Sequence, residues 1–512
     1  MTKNEKVIQR FFEIIPGLLT WIVILSPVWL GLVYPRAMVY FLTFLTLYWS
    51  YLAVLNTLGL AVGYPKYKKE MSQDWYQNCK ELDFAKLPDK DEIPTSLEKI
   101  KHFILIPCVN EPYQVLKDSF DSFSNQTYPT KSVTLVYTLE EKPSKKTKDD
   151  LRKIILQHQD KFDQILFFVH PAGIPGEAKG VGGANRTWGA SRAVDFLKSQ
   201  GKIVRNYIFS SFDADHIPDP QYISRLTYLY LTTPKRDNHF YATSVHLFNN
   251  NHWRVAAMSR IEANFVTLGT MASRSVPWGL SSLTKDTFAA YSCSLQTLVD
   301  ANYWDVQLGI DDTIFFWRAF FVRNGDFKLA GHYIPYSADA VEGKNFWGAH
   351  KSLYKQLLRW GWGVLEVPLS MNMFLKNKNI PFGKKLLWIY DHLKTRVLMI
   401  NIVYLLTFGF AILTTVNPSV KQSSFAYSLP DTMSWILTFT LLFLIPPTYF
   451  RAKLTPPMPK EWSVFKKLIH NLEGMIVMVN LLTFSFFPFV DAQTRMMFGK
   501  KMKDLYHTPK VR

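Results

Sequence analysis

Residues 14 to 34, 37 to 62, 397 to 416, 432 to 450 and 474 to 490 contain no charged side chain. The first four run about as long as the roughly 20 apolar residues that a bilayer-crossing helix needs, and the fifth is marginal. Between the second and third lies a block from about residue 63 to 396 with ordinary globular composition, too long and too polar to be a loop without its own fold. The expected plan is two spans, one water-facing domain, then two or three spans. Lys3, Lys6 and Arg10 precede the first segment as in a secretory leader, but a second long segment follows and no small-residue cleavage site precedes Tyr34-Pro35. It reads as a retained anchor.

Positive residues favour the cytoplasmic side, which places the amino terminus inside, Pro35-Arg36 outside and the central block inside. The stretch 451 to 471 is basic, and so is the tail after 490 with Arg495, Lys500, Lys501, Lys503, Lys510 and Arg512. One crossing at 474 to 490 cannot put both inside, so this segment is re-entrant or interfacial, or a hairpin broken at Pro488, or an exception to the rule. The net charge of +18 is spread over juxtamembrane loops and tails, which suits anionic lipid headgroups better than nucleic acid. Cys79, Cys108 and Cys293 have neither a disulfide framework nor zinc-ligand spacing.

Within the central block, residues 63 to 100 read as a linker or elbow helix. Strands are expected at 103 to 106, 132 to 139, 164 to 169 and 204 to 210, with helices at 113 to 123, up to about 159, and 185 to 199. Strands alternating with helices argue an α/β fold with a mostly parallel, Rossmann-like sheet. Residues 301 to 330 and 346 to 366 read as further helices.

Chemistry-bearing residues fall at the ends of these elements. Asp213 and Asp215 follow the last strand two residues apart, a spacing that turns adjacent oxygens to one side and suits a divalent ion bridging a nucleotide, though it also suits a solvated turn. Asn110 and Glu111 close the first strand, where a loop contacts a base or ribose or simply caps a helix. The glycine-rich loop 171 to 183 carries Lys179 and could cradle phosphate, without matching a P-loop. Asp311 and Asp312 precede a helical run, as dipole partners or with one of them a general base. Gln356, Arg359 and Trp360 share one helix face, where an Arg fork suits a pyrophosphate and a Trp ring suits a sugar or headgroup.

Taken in order, Pro107-x-x-Asn110-Glu111, Asp213-x-Asp215, Asp311-Asp312 and Gln356-x-x-Arg359-Trp360 between membrane spans resemble the membrane-embedded family 2 glycosyltransferases. Cellulose and hyaluronan synthases belong to that group. The resemblance implies a GT-A domain at residues 101–366 after two spans (1–62) and the linker (63–100). Interfacial helices (367–396), further spans (397–490) and a basic tail (491–512) follow. It also implies a nucleotide-sugar donor, foremost a UDP-sugar, with Mg2+ or Mn2+, inversion at the sugar carbon, and a plasma-membrane protein whose catalytic domain is cytoplasmic.

Carried over residue by residue, Asp215 would bind the metal and Asp213 would contact ribose or share the ion. Asp312 would be the base, Arg359 would steady the leaving diphosphate, and Trp360 would face the acceptor. The base-reading turn of the family is replaced here by Glu140 and Glu141, whose longer side chains leave the nucleotide open. A growing polysaccharide with product translocation is the leading acceptor reading. Single-sugar transfer to a lipid carrier, or a non-catalytic nucleotide-binding transporter or scaffold, are the alternatives.

Overall fold

The apolar run at 103–106 is buried on both faces because it lies inside a sheet, in strand β1 (Lys101–Cys108). The computed structural model describes residues 3–142, 145–178, 182–276, 283, 290–422, 431, 434–502 and 506–510. The other strands are β2 (Val133–Glu140), β3 (Gln164–His170), β4 (Tyr207–Ser211), β5 (Ile217–Pro218) and β6 (His239–Thr243). They continue with β7 (His246–Leu247), β8 (Tyr291–Ser294), β9 (Lys328–His332) and β10 (Tyr336–Ser337). Among the described residues they form a seven-stranded sheet in the order β3-β2-β1-β4-β8-β6-β9 and a three-stranded sheet β5-β10-β7.

The first four strands of the large sheet are mutually parallel, as the alternation of strands and helices predicts. β8 runs antiparallel to both β4 and β6, and β9 is parallel to β6. The stretch 301 to 330, expected to be helical, instead holds the helix Asp311–Val322 and then β9. Its strand state comes from pairing with β6, far away in sequence, and local spacing does not report such a partner.

The sheet belongs to one of two compact units, made of Pro65–Val255, Ser282–Ser352 and Met502–Arg512. The other unit comprises Met1–Tyr64, Ala256–Ser281 and Leu353–Lys501. Among the described residues, five helical segments are long and apolar enough to cross a membrane: Lys3–Ile24, Pro35–Met71, Phe382–Val416, Ser434–Leu454 and Val464–Met497. In the last of these the chain turns at 484–486 and resumes as helix Phe487–Met497, with Pro488 in its first turn where its missing N–H costs nothing. This final helix packs along Lys3–Ile24, with Thr20 donating to Gln493 Oε1 at 2.6 Å and Arg10 donating to the Met496 carbonyl at 2.8 Å.

The helix Ala257–Ser275 groups with these apolar helices. A Cβ at Gly59 would lie 2.3 Å from the Ala272 carbonyl oxygen, and one at Gly63 would meet Ser275 Oγ at 2.4 Å. The Gly59-x-x-x-Gly63 spacing thus lets two helix backbones touch, as small residues do where lipid supplies no hydrophobic drive. Two charged groups that Ala257–Ser275 brings are paired: Arg260 donates to Glu473 Oε2 at 3.0 Å, and Glu262 accepts from Asn480 and Ser485, both at 2.7 Å.

Candidate active site

In the strand order β3-β2-β1-β4 the direction of travel reverses between β1 and β4, and open α/β sheets bind ligands in the crevice at such a point. Here the two strands part. β1 pairs with β4 only through Leu105, whose carbonyl accepts from Phe212 N at 3.0 Å. Pro107 has the same parity as Leu105, so its missing N–H falls just beyond the end of β4 and breaks no ladder bond. Asn110, exposed, and Glu111 leave β1 on one side of this gap, and Asp213 and Asp215 leave β4 on the other.

The second acid pair lies close by, linked through a residue that belongs to none of the motifs. Arg186, in the first turns of the helix Gly182–Ser199, is buried. It donates through Nη2 to Asp213 Oδ1 at 2.9 Å and through Nη1 to Asp311 Oδ2, while Asp312 Oδ1 lies 3.8 Å from Nη1. Burial opposes its charge, but Asp312 and Asp213 outweigh this and raise its pKa. Asp311 and Asp312 open the helix Asp311–Val322, as expected, with Asp311 the more buried of the two. The signal for Arg186 was present as a lone arginine just after the glycine-rich loop.

Two of that loop's glycines have a packing reason. A Cβ at Gly182 would lie 2.8 Å from Asp311 Oδ2, and one at Gly183 would lie 2.3 Å from the Asp305 carbonyl oxygen. Gly183→Ala is expected to force this helix start away from the acid pair, at a cost of about 1–3 kcal/mol. A thermal melt checks it, and an unchanged midpoint would contradict the close packing.

Asp215 is held by a tight turn and by the small sheet. The Asp213 carbonyl accepts from His216 N at 3.0 Å, and β5 then pairs with β10, which brings Asp339 N–H to Asp215 Oδ2 at 2.8 Å. The same oxygen receives the ammonium of Lys510 at 2.7 Å. Burial opposes ionisation of Asp215, yet the Lys510 ammonium outweighs this and holds its pKa below the usual carboxylate value. Glu111 goes the other way: burial pushes it up to about 7, against the pull of the Val109 N–H that donates to its Oε2 at 2.7 Å.

Donor atoms of Asp213, Asp215 and His216 lie within 4.8 Å of one another. The histidine is nonetheless a poor ligand as placed. Its Nδ1 accepts from Asp213 N at 3.2 Å, so the neutral ring carries its proton on Nε2. Burial holds it neutral by lowering its pKa, against the pull of Asp213 and Asp215. The donors left for a cation are carboxylate oxygens, the chemistry of Mg2+ or Mn2+, and on donor type the residues fit such an ion.

Glu140 and Glu141 sit at the end of β2 but are already engaged. Glu141 Oε2 accepts from Ala172 N at 2.9 Å. His170, paired across from Glu140 at the end of β3, has Nδ1 3.0 Å from Glu140 Oε2 and Nε2 2.8 Å from Glu177 Oε2. Only the imidazolium donates from both nitrogens. Burial opposes that charge, but the two carboxylates outweigh it and raise the pKa of His170.

A group whose folded pKa lies above its unfolded value adds stability that is complete below the unfolded value, about 6.5, and is lost as pH rises through the folded one. The difference in melting temperature between wild type and His170→Gln is therefore expected to be largest below about pH 6 and to shrink on alkalinisation. A difference independent of pH would show that the clasp does not need the second proton.

Lys179 lies outside the described residues. Gln356, Arg359 and Trp360 sit half-buried on the helix Phe346–Gly361 at the expected spacing, and they belong to the other compact unit. His216, Asp339 and Lys510 join Arg186 as residues the motifs did not single out. His216 adjoins Asp215 in sequence, whereas nothing local marks Asp339 or Lys510.

No family model and no curated protein matches the chain. Among solved structures it is similar to the mannosyltransferase PcManGT from Pyrobaculum calidifontis in complex with GDP-Man and Mn2+, with 13% identity and TM-score 0.41, over 82% of this chain and 99% of that one. It is also similar to S. aureus TarS 1-349 in complex with UDP-GlcNAc, with 12% identity and TM-score 0.33, over 63% of this chain and 92% of that one. Scores this low do not establish a common fold.

Proposed function

We propose that this chain is an inverting glycosyltransferase of the membrane-embedded family 2 kind, with a GT-A domain on the cytoplasmic side of the plasma membrane. It moves a hexose from a nucleotide sugar, a UDP-sugar, to a growing polysaccharide and passes the product across the membrane. The observation that carries the reading is the Asp213–Arg186–Asp311 bridge, which joins two acid pairs distant in sequence beside the point where β1 and β4 part.

Each residue then has a task. Asp215, with Asp213, holds the divalent ion, which when bound offsets negative charge developing on the leaving diphosphate. Asn110 and Glu111 contact base or ribose from the end of β1. Asp312, less buried than Asp311, takes the proton of the acceptor hydroxyl at its carboxylate. Asp311 is committed to Arg186 and sets the position of its neighbour. Arg186 is itself engaged by carboxylates; Arg359 steadies the leaving diphosphate, Lys179 and Gln356 bind the donor, and Trp360 faces the acceptor.

The test is a panel of nucleotide sugars with purified protein and Mg2+ or Mn2+, read by nucleoside diphosphate release. Release from one donor is expected, and release from none would sink the reading. Product length separates its two forms: a ladder is expected for a chain-extending enzyme, a single band for transfer to a lipid carrier.

A further inference from the structure

Residues 506–510 of the basic tail are held against the sheet domain. Tyr506 Oη donates to Ser352 Oγ at 2.8 Å, and four residues later the Lys510 ammonium reaches Asp215 Oδ2 with its side chain largely buried. Its charge also acts on Asp213, Asp339 and Glu111. With Arg186 bonded to Asp213, the Lys510 ammonium is the second cation among these acids and the one that reaches Asp215. Asp215 Oδ2, which also accepts the Asp339 N–H, has both lone pairs engaged. A divalent ion bonded to this oxygen, at about 2.1 Å, needs one of those lone pairs, and anywhere on this carboxylate it meets the like charge of the ammonium.

We infer that residues 506–510 form an internal plug, in which the Lys510 ammonium occupies the cation site until a divalent ion displaces it. This rests on the proposed assignment of Asp215 as a metal-binding residue and adds regulation to that site. The plugged chain is closed to cation, so its apparent affinity is lowered by the fraction of molecules in which the tail is out. Binding of metal and release of the tail are then one exchange: the Lys510–Asp215 ion pair breaks, a metal–carboxylate bond forms, and the ammonium returns to water.

The experiment is a Mn2+ titration of the full chain in detergent without nucleotide, with free Mn2+ read by electron paramagnetic resonance. Wild type is compared with Lys510→Gln and Asp215→Asn. Lys510→Gln is expected to bind Mn2+ about tenfold more tightly, the gain for removing a closed state favoured about ten to one, and Asp215→Asn is expected to lose the site. Equal or weaker binding by Lys510→Gln, with binding lost in Asp215→Asn, would overturn the plug and leave the metal assignment standing. Mn2+ binding that survives Asp215→Asn, or is absent from all three proteins, would overturn both.

A second readout follows the tail itself. Cys79, Cys108 and Cys293 are buried, so a cysteine introduced as Thr508→Cys offers a selective maleimide target. Its labelling is expected to accelerate on adding Mn2+. An unchanged rate would count against displacement.

Discussion

Replacing Arg186 with methionine is expected to cost about 3 kcal/mol of stability and to lower the melting midpoint by several degrees, because it strands the buried carboxylate of Asp311 without its cation. Asp213 contributes less to that cost, since its side chain is 41% exposed and water screens it. Methionine keeps most of the side chain's length and apolar bulk, so lost packing is a minor part. Arg186→Lys is expected to recover only part of the loss, because a single ammonium does not span two carboxylates as a planar fork does.

A double-mutant cycle isolates the interaction. With Asp311→Asn the two changes together should be less destabilising than their sum, by about 0.5–3 kcal/mol. Additivity, or a melting midpoint unmoved by Arg186→Met, would mean that the bridge does not organise the two acid pairs.

Asp312→Asn is expected to lower turnover by about 10²- to 10⁴-fold, the range that a positioned base contributes, with donor binding unchanged. The asparagine is nearly isosteric and keeps the helix start, but it cannot take a proton. A fall in kcat without a rise in donor KM is the signature of a group that acts on the transition state. Full activity in Asp312→Asn would sink the base assignment while leaving Asp213 and Asp215 untouched. Because Asp311 is the carboxylate bonded to Arg186, Asp311→Asn should show both the stability loss and the rate loss.

Much of this site was legible before any tertiary structure. The parallel strands β1 to β4 announce themselves as short apolar runs, most plainly β1, β2 and β4, which are buried inside the sheet, whereas β3 is its half-buried edge; each ends where polar residues cluster. Asp213 and Asp215 were readable as a pair at a strand end, and Asp311 and Asp312 as the start of a helix. β8 and β9 were not legible, since they lack a long apolar run of their own and take their strand state from pairing with β4 and β6, far away in sequence. The glycine-rich loop was read for phosphate contact, and the close approach of Gly182 and Gly183 to residues 305 and 311 became visible only once those segments were adjacent.

From sequence alone came the alternation of apolar helices with an α/β block and the identity of the acidic groups, because hydrophobic period and charge are local properties of the chain. Tertiary structure decided which groups meet. Arg186 joins acids from two distant segments, Asp339 offers its backbone N–H to Asp215, and Lys510 returns from the tail to the same oxygen. Those contacts depend on how strands are ordered and where the tail is laid down, and the energy of a buried charge is set by partners that share no sequence neighbourhood with it.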